Sequence, residues 1–132
     1  MTIRRTFPMP LLFACLMVVS GCTSHLAEPP VETFQAQARS AFDEGVRLYE
    51  AEDYAAAEEQ FLTPAIWAED SSVQVQVQAL KYLAFSYCLT DRPNQCRFAF
   101  ECALQIDPSF HLKSTEVGHP LWGPVFDQAA RH

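Results

Sequence analysis

The sequence predicts an all-α domain of about two antiparallel helix–turn–helix repeats, closed by a C-terminal capping helix. Three observations carry this. From Phe34 onward apolar residues recur at spacings of three and four, the period of a helix with one buried face. Polar clusters and prolines divide that pattern into short runs, as turns between helices do. Two stretches, 38–71 and 77–110, place small, aromatic and stop residues in the same order, which marks an internal repeat.

Ahead of the domain, residues 1–21 read as a lipoprotein signal peptide. Arg4 and Arg5 give a positive start, and Leu11 to Val19 is an unbroken apolar run of nine. Such a run suits a signal segment and is too short to span a bilayer. Val19-Ser20-Gly21-Cys22 follows and resembles the bacterial lipobox, where cleavage falls just before a cysteine joined to diacylglycerol. An ordinary signal peptide with a chance cysteine is the alternative. The resemblance implies that Cys22 is the lipid anchor; two or more acyl chains hold a protein stably where one does not. By the same resemblance, Thr23 in place of Asp points to the periplasmic face of the outer membrane. Residues 22–33 are polar and contain Pro29-Pro30, the composition of a tether. The helical domain is expected over 34–132.

Within it, Ala38, Ala41, Phe42, Gly45, Leu48 and Tyr49 form the inward face of the first helix, which Glu52-Asp53 interrupts. A second helix starts at Tyr54, with Ala57, Phe61 and Ile66 inward and Glu58 and Glu59 outward. Pro64 kinks or ends it. Ser71 or Ser72 is placed to cap a third helix that runs from about Val73 to Leu89. Asp91-Arg92-Pro93-Asn94 reads as a turn, and a fourth helix covers about Gln95 to Ile106. A Gly/Pro-rich loop then leads to the capping helix, whose Leu121, Trp122, Val125 and Phe126 fall on one patch. Pro124 is compatible only with its first turn.

Leu80, Leu83, Ala84, Tyr87, Cys96, Phe100, Ala103 and Pro108 resemble the tetratricopeptide (TPR) pattern. In the first repeat Gly45, Leu48, Asp53-Tyr54, Ala57 and Phe61 match the same positions. The physics is close packing: a small residue on each helix lets two backbones approach, and an aromatic fills the wedge where they diverge. The repeats start 39 residues apart in place of 34, so about five extra residues lie around Pro64–Ser72.

Cys88 and Cys96 flank the turn of the second repeat, and an exported chain folds in an oxidising compartment. Pairing them would close a nine-residue loop, worth about 2.5 kcal/mol by loop entropy. The alternative is that Cys96 is merely the small residue of its repeat. Cys102 is left as a buried thiol, since about 9 Å of helical rise separates it from Cys96. A zinc site from Cys88, Cys96, Cys102, His111 and His119 lacks the close ligand pairs such sites use, so no metal and no cofactor are expected.

The chain of 132 residues carries a net charge of −7, and removing residues 1–21 takes two arginines and no acid. The remaining 111 residues stand at −9, with nine of the sixteen acids between Asp43 and Asp70. That balance excludes nucleic acid, which needs clustered Lys and Arg, and favours a basic protein surface against the first repeat. Nucleophile-elbow, zinc-protease and phosphate-loop motifs are missing, so no enzyme and no small-molecule substrate are expected. Glu58-Glu59 reads as a solvated acidic pair and His119 as a loop anchor.

What remains is a surface. The first helix of each repeat lines a concave groove in such folds. Here it carries Arg39, Phe42, Val46, Tyr49 and Glu50, then Gln78, Lys81, Phe85 and Leu89. A protein segment is the expected occupant; the alternatives are the tether, the C-terminal tail, or mutual contact among these residues. The end of the second repeat and the segment Gly118-His119-Pro120-Leu121-Trp122-Gly123-Pro124-Val125-Phe126 resemble accessory TPR lipoproteins of type VI secretion systems (the TssQ-type group). That resemblance implies a non-enzymatic adaptor anchored to the outer membrane, bound to an envelope or secretion-machine component. A pilotin-like or assembly lipoprotein for another envelope machine is the alternative.

Overall fold

The computed structural model describes residues 31–131; the signal segment, Cys22 and the tether up to residue 30 lie outside the described residues. Helices α1 (Val31–Glu50), α2 (Tyr54–Phe61), α3 (Val73–Leu89), α4 (Pro93–Ile106) and α5 (Gly123–Ala129) are joined by turns, with one 3₁₀ turn at Pro64–Trp67. Among the described residues there is no strand, so the domain is all-α. No described helix is long and apolar enough to cross a membrane.

Helix α1 begins three residues ahead of the expected boundary at 34. Thr33 and Phe34 are half-buried, so the first turn already has something to pack against. The segment after α2 behaves as Pro64 requires: α2 stops at Phe61 and Pro64 opens the 3₁₀ turn. Trp67 fastens that turn by donating from Nε1 to the Phe61 carbonyl at 3.0 Å. Asp53 caps α2, its Oδ1 accepting from the Ala56 amide at 3.2 Å. Ser72 sits at the N-cap of α3 but makes no side-chain cap bond, and the Ser71 hydroxyl is buried without a partner. Helix α4 starts at Pro93 and not at Gln95. Proline fits a first turn because its missing N–H would be unpaired there anyway.

The two hairpin turns are built alike. The Asp53 amide closes back on the Leu48 carbonyl at 3.0 Å, and the Arg92 amide on the Tyr87 carbonyl at 2.8 Å. Glu52 and Asp91 take left-handed backbone, with φ of 62° and 59°. Each equivalent pair is 39 residues apart, the offset expected from the sequence. The same translation carries Ala57 onto Cys96 and Phe61 onto Phe100, all four with no exposed surface.

Gly45 explains how α1 and α2 approach. A Cβ there would stand 2.5 Å from Phe61 Cε1 and under 3 Å from two more atoms of that ring. The ring is fully buried and stacked 5.6 Å from Tyr82, so it has little room to retreat. Gly45→Val is therefore expected to lower stability by about 1–3 kcal/mol through overpacking. This outweighs the roughly half kcal/mol that replacing glycine returns to a helix. An unchanged urea midpoint would show that the ring moves aside.

Helix α3 is central, touching α1, α2 and α4. Its buried set, Val75, Val77, Ala79, Leu80, Leu83, Ala84, Phe85 and Cys88, wraps most of its circumference. The two hairpins are also clamped by Arg92, which grips the Glu58 carboxylate with two nitrogens, one at 3.0 Å, and lies over the Tyr87 ring at 4.6 Å. Glu58 is thus not on an open outward face as its spacing suggested; its side chain is 13% exposed against Arg92. After α4, residues 107–122 run as an irregular strap back across α3 before α5 packs on α4. Phe126 meets Phe100 at 5.1 Å and Phe110 at 5.8 Å. Leu121 departs from the expected patch: it is half exposed while Trp122 is buried.

Candidate functional site

The first-helix faces of the two hairpins do come together, but the strap takes part of the space between them. Phe85 is 2% exposed, its ring stacked 4.1 Å from Trp122. Lys81 is 1% exposed and its Nζ donates to Glu116 Oε1 at 2.6 Å. Neither is exposed, contrary to the sequence reading, although Lys81 borders the strap-side depression of the groove. Phe85 is covered by an aromatic from the strap, and Lys81 is drawn inward by a carboxylate 35 residues away and by the Tyr82 ring face at 4.8 Å. Tyr49 is half-buried among Tyr54, Tyr82 and Phe85, and Leu89 is half-buried against the core.

Arg39, Phe42, Val46 and Gln78 remain at the surface of an open groove. Three depressions run together, because Gln74 and Gln78 on α3 border all three. One wall is α1, with Arg39, Phe42, Asp43 and Val46. The other is the strap, with His111, Lys113 and Glu116. The depression against the start of α1 holds about 280 Å³ and the one against the strap about 540 Å³. Two glutamine amides along the floor offer donor and acceptor together, which suits the backbone of an extended segment. Phe42 and the half-buried Tyr82 add aromatic surface. Gln74, Tyr82, Lys113 and Glu116 escaped the sequence reading. Gln74 lies four residues before Gln78, so helical spacing alone would have found it.

Burial, followed by the nearby Tyr54, Tyr82 and Glu116, pushes Tyr49 up to about 12. Burial likewise raises Tyr82 and Tyr87. Because the fold raises Tyr49, its contribution is complete below about pH 10, the ordinary tyrosine range, and is lost as pH climbs toward 12. Alkaline unfolding is therefore expected in that window, coincident with the late part of the phenolate absorbance rise; phenolate formation complete near pH 10 with the fold intact would contradict this. Burial, then Glu101, raises the Cys102 thiol, which is half-buried where full burial was expected.

Cys88 and Cys96 lie at disulfide distance, 2.09 Å between sulfurs, with Cα atoms 5.3 Å apart. The pair joins the end of α3 to the start of α4. Replacing both with Ser is expected to cost about 2.5 kcal/mol. The check is the urea midpoint of the oxidised protein against the variant, with reductant bringing the two together. The five Cys and His residues considered for zinc do not assemble: among the described residues no three metal-ligating side chains converge. Glu58 is occupied by Arg92. His119 stacks on Trp122 at 3.3 Å and its Nδ1 accepts from the Leu121 amide at 3.2 Å. No protein-family model, no curated protein and no solved structure matches the chain.

Proposed function

We propose that the chain is a non-enzymatic, TPR-like adaptor lipoprotein. Cys22 carries the lipid anchor at the periplasmic face of the outer membrane, and the groove between α1 and the strap receives an extended segment of a protein partner. The observation that supports this best is the glutamine-floored groove with an aromatic wall, open along α3 while the rest of that helix is covered. The duplicated hairpin at a 39-residue offset supports the TPR-like reading. The partner is an envelope or secretion-machine component, with type VI secretion as the specific system by sequence resemblance. The acidic first hairpin favours a basic surface on that partner.

Photo-crosslinkers at Phe42 and Gln78 are expected to capture one protein in cells, while a crosslinker at Phe98 on the outer face of α4 does not. Equal capture from all three positions would remove the groove from the proposal. A Cys22→Ala variant that still fractionates with the outer membrane would remove the anchor. A secretion apparatus that assembles and works without this chain would remove the secretion-specific part.

A further inference from the structure

The described residues carry six exposed large hydrophobic side chains, and three of them gather at one end of the bundle. Leu62 follows the end of α2, Val73 opens α3 and Ile106 closes α4, at 54%, 55% and 38% exposure. In a pair of antiparallel hairpins these are all the end at which α1 begins. The contacts agree. Gln35 in the second turn of α1 donates to the Asp70 carbonyl at 3.4 Å. Gln35 and Arg39 border one depression with Ser71, Ser72 and Gln74, and Val73 borders another with Asp107. Half-buried Trp67 belongs to the same end, in the turn between α2 and α3. The hairpin turns at the opposite end, 51–53 and 90–92, expose no large apolar side chain.

This is also the end that faces the proposed anchor. Nine residue steps separate Cys22 from Val31, a reach of at most about 30 Å. A lipidated Cys22 therefore keeps the start of α1, and with it Leu62, Val73 and Ile106, close to the bilayer surface. Such a short link gives an effective concentration on the order of millimolar, at which a contact too weak to bind from solution becomes the resting state. Trp67 leaves part of its ring open at this end, its Nε1–H being taken by the Phe61 carbonyl. Exposed Glu69 and Asp70 on the same end make anionic lipid the wrong surface.

We infer that the anchored domain rests end-on against a zwitterionic phospholipid surface through Leu62, Val73, Ile106 and Trp67, so that α1 and α3 stand away from the membrane and the groove opens into the periplasm. The inference rests on the lipid-anchor reading. It is tested with the full lipidated protein on phosphatidylethanolamine/phosphatidylcholine vesicles carrying chain-brominated lipid. Trp67 emission is expected to be quenched, while Trp122, which stacks on Phe85 about 18 Å further along α3, is spared. Changing Leu62, Val73 and Ile106 together to Ser is expected to reduce the quench at least twofold without altering flotation with vesicles or thermal stability; Phe98→Ser leaves the quench unchanged. Added anionic lipid is expected to weaken it. Protein that fails to float would overturn the anchor and the resting surface together. Protein that floats with both tryptophans unquenched, or with quenching that grows with anionic lipid, would overturn the resting surface alone. Crosslinking of residues 62 and 106, which lie outside the groove, to a protein in cells would do the same.

Discussion

Glu116→Ala is expected to lower stability by about 3–5 kcal/mol. The magnitude follows from what the change leaves behind. The Lys81 side chain is 1% exposed and that of Glu116 is 16% exposed, so water does not replace the lost carboxylate. A buried ammonium without its partner costs that order of free energy. The Tyr82 and Phe85 ring faces, 4.8 and 5.6 Å from Nζ, compensate in part, since a desolvated cation over a ring is worth about 2 kcal/mol. Glu116 also accepts from the Lys113 amide at 2.9 Å, so the strap loses its internal tie at the same moment. Glu116→Gln keeps one acceptor oxygen, enough for one of the two donors, and is expected to lose less than Ala. Lys81→Met combined with Glu116→Gln is expected to recover part of the loss, because an apolar replacement removes the orphaned charge. Urea unfolding at neutral pH reads all three; a loss under 1 kcal/mol for Glu116→Ala would show that water reaches Nζ through the adjoining depression.

Trp122→Ala is the second large effect, again about 3–5 kcal/mol, the usual range for truncating a buried aromatic. Its ring lies between Phe85 at 4.1 Å and His119 at 3.3 Å, and its Nε1 donates to the Glu116 carbonyl at 3.0 Å. Truncation therefore uncovers Phe85 and frees the strap along with it. The expected signature beyond the midpoint shift is new proteolysis within 107–122 and new binding of a hydrophobic dye. Trp122 and Glu116 hold the same segment, so the double variant is expected to cost less than the sum of the two singles. Strict additivity would mean that the strap is fastened at independent points.

Much of the fold was legible because it depends on local spacing. The range Val73–Leu89 for the third helix, the start of the second helix at Tyr54, the Gly45–Phe61 approach and the closeness of Cys88 to Cys96 all follow from residues within one hairpin. The groove was half legible. Arg39, Phe42, Val46 and Gln78 fell where their helix faces put them. Lys81 and Phe85 did not, because their surroundings come from Glu116 and Trp122, more than thirty residues downstream. A lysine is also rarely buried, which made an open position the natural reading. One signal was nonetheless present. The third helix is apolar on nearly every side, from Val75 through Cys88, and such a helix is enclosed. Lys81 and Phe85 therefore had little open face to occupy. The start of α1 at Val31 was missed because Val31-Glu32-Thr33 is too short and too polar to show a period.

The notch at Gly45 has a mechanical consequence. Under the proposed anchoring, tension from the lipid would enter at the first turn of α1 and act along that helix's axis, while a client in the proposed groove would pull back against α1 and α3. The load then tends to slide α1 past α2 and does not peel it away. Any axial slide would carry the Phe61 ring off the bare backbone at Gly45 toward the side chains one turn away on the same face, Ala41 on one side and Leu48 on the other. The seated ring works as a detent, resisting axial slip in both directions through shape alone.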